Sequence, residues 1–107
     1  MDDPNQIEVP PSFLALFSSP SGHRLTEPVS FVRERYELCE DLAQALTEQA
    51  AAAQFRTGDA QEVVLRKMGA ALSEEGSALQ GGEAQWVVRR LAELLGWAMP
   101  GSAAEPP

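Results

Sequence analysis

Arg35 is the residue whose setting most invites a chemical reading. Around it, Val32, Tyr36, Cys39, Ala43, Leu46, Ala50 and Ala53 recur at alternating steps of four and three, which places them on one side of an α-helix. Phe31, Leu38 and Leu42 widen that apolar arc, and Arg35 falls inside it. A guanidinium there must snorkel to the edge, pair with a carboxylate or backbone carbonyl, or hold a ligand. The first two outcomes make it a structural arginine, and the last makes it an anion anchor.

Opposite the arc lie Arg33, Glu34, Glu37, Glu40, Asp41, Gln44 and Glu48. Glu34, Glu37 and Asp41 follow i, i+3, i+7 spacing, so their carboxylates could in principle share a proton or a cation. Helical di-metal sites use Glu-x-x-His pairs from two helices, and the single histidine, His23, falls in a Ser-Gly-His-Arg loop outside any helix. The acidic residues therefore read as a solvated face, with no metal site. Arg33 and Glu37 form an i, i+4 pair worth a few tenths of a kcal/mol.

Cys39 is the only cysteine, so no disulfide within the chain and no cysteine-based zinc site can form. Nucleophilic chemistry needs positive surroundings that depress the thiol pKa, yet Glu40 and Asp41 follow Cys39 directly. It reads as a small apolar core residue. His23 has no serine or cysteine partner in a recognisable motif, so it reads as a solvated loop histidine. No catalytic residue is assigned.

Toward the C-terminus, Trp86, Arg90 and Trp97 form a second group. On a helix, Trp86 and Arg90 are i, i+4 neighbours, pointing away from the arc of Val87, Val88, Leu91, Leu94 and Leu95. Either Trp86 packs against the Phe13-Leu16-Phe17 segment and is buried, or it forms an exposed Trp/Arg patch of the kind favoured at binding hot spots. Trp97 continues that side if the helix passes Gly96 and otherwise folds back onto the core.

These residues need helices to position them. Pro10 and Pro11 open a short helix or turn through Phe17, and Ser18 to Gly22 reads as a loop. The long helix is expected from about Glu27 to Arg56, capped by Thr26 and ended by Gly58. Asp59 with Glu62 three residues on matches a capping box for a helix reaching nearly to Gly76. Gly81 and Gly82 then lead into a last helix, roughly Glu83 to Leu95, which Gly96 stops. No β-branched, alternating stretch suggests a strand. The expected fold is all-α: a small bundle of three main helices plus a short N-terminal helical element. It forms a single helical domain over residues 10–98, with a flexible N-terminus at 1–9 and a disordered tail at 99–107.

The chain has 107 residues, with eight Lys and Arg against sixteen Asp and Glu, giving a net charge of −8. That excess repels phosphate backbones and anionic lipid, so neither nucleic acid nor membrane is an expected partner. The acidic start Met1-Asp2-Asp3 lacks a signal-peptide pattern, and no apolar run reaches the roughly 20 residues of a membrane span. The expected location is the cytoplasm. Arg66 and Lys67 alone make a poor DNA-recognition helix, and Arg89-Arg90 is too small a basic spot for nucleic acid. No glycine-rich phosphate loop, nucleophile elbow or zinc-protease signature is present, so no cofactor is expected.

Three segments carry a resemblance: Ile7 to Phe17 (IEVPPSFLALF), Arg35 to Ala43 (RYELCEDLA) and Trp86 to Trp97 (WVVRRLAELLGW). Together they resemble a family of short proteobacterial proteins, some of which are labelled "ATPase with chaperone activity". The ATPase half of that label requires a phosphate-binding loop that this chain lacks, so the resemblance implies a chaperone-associated or adaptor role. The expected function is protein–protein binding without catalysis, through Trp86, Arg90 and Trp97, with Arg35, Phe13 and Phe17 as further contacts. The alternative is a small ligand-binding protein or enzyme that uses Arg35 as its anion anchor. The heptad-like spacing also allows a homodimer, although Ala43, Ala50 and Ala53 would give it a thin seam.

Overall fold

The computed structural model describes residues 8–98. Among them the fold is all-α, as expected, in the order α1 (Pro11–Leu14), a 3-10 turn (Ala15–Phe17), α2 (Val29–Thr57), α3 (Gln61–Leu72) and α4 (Glu83–Leu95). The expected loose ends fall outside the described residues, apart from Glu8 and Val9. The chain divides into two compact units, one ending at Leu38 and the other beginning at Cys39, so that α2 contributes to both.

The first unit is organised by aromatic rings. Pro11 suits the first turn of α1 because its fixed φ is helical and its missing N–H would find no helical partner there. The Phe13 and Leu14 amides both donate to the Pro10 carbonyl at 3.0 Å. Phe13 is fully buried, its ring centroid 5.7 Å from those of both Phe17 and Tyr36. Phe17 in turn meets Phe31 edge-on at 6.0 Å. Tilted and edge-to-face pairs of this kind add about 0.5–1.5 kcal/mol each beyond simple burial.

The Ser18–Gly22 loop is more ordered than its composition implies. Ser18 and Leu25 form an isolated antiparallel bridge, and the Ser19 amide donates to the Arg24 carbonyl at 2.7 Å. Gly22, at φ +80°, closes the turn by donating to the Ser19 carbonyl at 2.8 Å. Thr26 does not play the capping role expected of it. Its amide and hydroxyl both donate to the Phe17 carbonyl, at 2.6 and 3.1 Å, and α2 starts later, with the Val32 amide on the Pro28 carbonyl. The backbone pairing across the loop claims the threonine that a local motif would have assigned to the helix.

The second unit joins three helical segments: α2 from Cys39 onward, α3 and α4. Its core is Ala50, Val64, Leu65, Val88, Leu91 and Ala92, flanked by Leu46, Ala53, Met68, Leu72, Leu95 and Trp97. Gly69 of α3 lies so close to α4 that a Cβ there would stand 3.3 Å from Val88 Cγ2. Between α2 and α3, the Gly58 amide donates to the Gln54 carbonyl at 2.8 Å in a left-handed conformation, φ +75°. The expected Asp59 capping box is absent. Ala60 occupies the N-cap without a side-chain cap bond, while Asp59 Oδ2 accepts from Lys67 Nζ at 3.1 Å. The helix begins two residues past Asp59, which frees that carboxylate to reach along it. Glu62 instead sits 3.5 Å from Arg66 in an exposed i, i+4 pair. At its other end α3 stops at Leu72, earlier than expected.

The last helix has the expected bounds and the expected stop. Gly96 adopts φ +74°, its amide donates to Glu93 at 3.2 Å, and the Trp97 amide reaches back to Ala92 at 2.8 Å. These two bonds satisfy carbonyls that the helix end would otherwise orphan, and they turn Trp97 onto the core.

Candidate functional site

The two ends of α4 show how completely it is committed to structure. At its start, the Glu83 amide donates to the Gln80 carbonyl at 2.9 Å, and Glu83 Oε1 accepts from the Gln80 amide at 2.9 Å. This carboxylate is 1% exposed, a burial nothing in its sequence context announces. Buried positions then run through Ala84, Trp86, Val87, Val88, Leu91 and Ala92, leaving Gln85, Arg89 and Glu93 outside.

Trp86 is therefore not an exposed hot spot; it is 8% exposed. Of the two readings the sequence allowed, burial is the one observed. The apolar face of α4 is wider than the single stripe read from Val87 to Leu95, because a large indole gains more from leaving water than a smaller side chain would.

Arg90 makes a clasp between α4 and α2. Its Nε donates to Glu40 Oε1 at 2.9 Å and its Nη2 to Glu40 Oε2 at 3.1 Å, a two-pronged geometry matched to a carboxylate. Its Nη1 donates to Glu93 Oε1 at 3.1 Å, and Gln44 Nε2 adds a 2.8 Å bond to Glu40 Oε2. The Arg90 guanidinium holds the Glu40 carboxyl below its ordinary range, against the opposing effect of burial and with help from Gln44. Reciprocally, Glu40 raises the Arg90 pKa further. A guanidinium engaged by two carboxylates has little left for an outside partner. Glu40, expected on the solvated acidic face, is thus a structural residue.

The remaining sequence candidates are dispersed. Phe13 is fully buried and Phe17 half-buried in the aromatic cluster, so the exposed apolar side chain of that segment is Leu16. Arg35 is half-buried on the first unit's stretch of α2. Arg33, expected on the solvated side, is also half-buried, and its Nε is buried without a hydrogen-bond partner. Trp97 is half-buried against the core. Cys39 is fully buried, as its place in the apolar arc implied, and His23 is exposed. Among the described residues, no group of three or more His, Cys, Asp or Glu side chains is placed to hold a metal ion. No described helix is long and apolar enough to cross a membrane.

The residue that sequence reasoning missed is Phe55, near the end of α2, which is 93% exposed. Its signal was present. The apolar register runs Leu46, Ala50, Ala53, and Phe55 stands two residues beyond its last member, off the buried side. Going back along α2 by sevens, Phe55 shares its outward stripe with Glu48 and Asp41, and Ala45, Ala51 and Ala52 fill the same exposed side. This surface pairs an unburied aromatic ring with small residues that let another backbone approach closely and with two carboxylates open to water.

Comparison with protein-family models, with curated proteins and with solved structures finds no match to this chain.

Proposed function

We propose that this is a small cytoplasmic protein that acts by binding another protein, in a chaperone-associated or adaptor-like role, rather than by catalysis. The observation that carries the reading is Phe55. A phenyl ring on a solvated helix face contributes little to its own fold and presents apolar area to a partner. Supporting it, Val29 (54% exposed) and Leu38 (40% exposed) are further large apolar side chains open to solvent. The residues first favoured as contacts, Trp86 and Arg90, serve the fold instead, which moves the expected binding surface from α4 to the outer face of α2.

Affinity capture followed by mass spectrometry, comparing wild type with Phe55→Ala, tests this directly. A protein retained by wild type and lost from the variant is the expected result. Identical recoveries from both, with no specific partner in either, would remove the support.

A further inference from the structure

We infer that the outer face of α2 in the second unit docks a basic amphipathic helix, a partner chemistry that rests on the binding role just proposed. The face is built from Asp41, Ala45, Glu48, Ala52 and Phe55, all exposed. Successive members of the Asp41, Glu48, Phe55 series stand seven residues apart, about 10.5 Å along the axis. A partner helix with two cations one heptad apart, and an apolar side chain one heptad further, matches that series position for position. The alanines between them keep the backbone surface low, so two helices can close until the partner's apolar residue meets the Phe55 ring.

Charge decides the occupant. Asp41 and Glu48 are both exposed, in contrast to Glu40, whose charge the Arg90 clasp already answers. A second copy covering the whole face would set Glu48 against its own mate, whether the helices ran parallel in register or antiparallel. Each copy would also bring the same net charge of −8. A cationic helix meets both carboxylates with opposite charge and has no such penalty.

The probe is a fluorescein-labelled, alanine-based helical peptide three heptads long, with two lysines one heptad apart and a leucine one heptad beyond. A control peptide replaces the lysines with glutamates. By anisotropy, the lysine peptide binds wild type and the glutamate peptide does not, and raising salt weakens the binding. Phe55→Ala weakens it by about tenfold or more, with unchanged circular dichroism. The paired substitution Asp41→Lys and Glu48→Lys reverses the preference, so that the glutamate peptide binds. Equal binding of the two peptides, no binding of the lysine peptide, or a concentration-dependent dimer in sedimentation equilibrium that Phe55→Ala abolishes would each overturn the inference. If the lysine peptide fails while lysate capture still yields a Phe55-dependent partner, the basic-helix assignment falls and the binding role stands. If capture fails as well, both fall.

Discussion

Two helices of the second unit use their residues in opposite ways. In α4, seven of thirteen residues are buried, including a tryptophan and a glutamate, and its arginine at position 90 is spent on an internal clasp. The α2 stretch from Cys39 to Thr57 buries Cys39, Ala43 and Ala50, all small, and carries Phe55 outward. The difference lies in side-chain volume. Bulky residues make α4 an interior element, whereas α2 from Cys39 onward buries only small side chains and leaves its far side exposed. The lesson is that a helix carrying a tryptophan and four charged residues is not thereby an exposed one.

That contrast can be broken most severely in α4. Leu91→Ala empties a fully buried site and is expected to cost about 2–5 kcal/mol, read as a fall in chemical-denaturation midpoint. Gly96→Ala forces a Cβ into a left-handed backbone and is expected to cost about 1 kcal/mol, measured in the same way. Glu40→Gln leaves the clasp without its charge, for a loss of up to about 1 kcal/mol given partial exposure of the pair.

The clasp also has a pH signature. Because the folded state holds the Glu40 carboxyl below its unfolded value, its contribution is complete above the ordinary carboxylate range. It disappears as pH falls through the lower, folded value. Wild type should therefore lose more stability than Glu40→Gln between neutral pH and the acid side of that range, and a smaller loss in the wild type would contradict the clasp. The smallest stability effect belongs to Phe55→Ala, expected within about 0.5 kcal/mol of wild type while partner binding drops.

Much of the helical layout was legible in the sequence. The bounds of α4 and its glycine stop follow from apolar periodicity and from the one residue type that enters the left-handed region cheaply. The apolar register of α2 identified Val32, Cys39, Ala43 and Ala50 as interior. Local capping signals misled, because Thr26 bonds a carbonyl nine residues back and Asp59 reaches a lysine eight residues ahead. Neither partner lies within the window that defines a cap. The candidate surface was harder to see. Whether Trp86 and Glu83 are covered depends on what surrounds α4, which its own periodicity does not encode. Phe55 could have been found by noting that it stands two residues past Ala53, off the apolar register of α2.

Glycine at position 69 has a wider meaning for how the molecule tolerates change. A glycine inside a helix weakens it by roughly 0.5–1 kcal/mol relative to alanine, yet here a single added methyl would press on Val88. The spacing of α3 and α4 is tight at this point, and a side chain at position 69 would require Val88 to give by a few tenths of an ångström. Whether drift at position 69 is tolerated therefore turns on how far the side chain at position 88 can move, which couples the two sites.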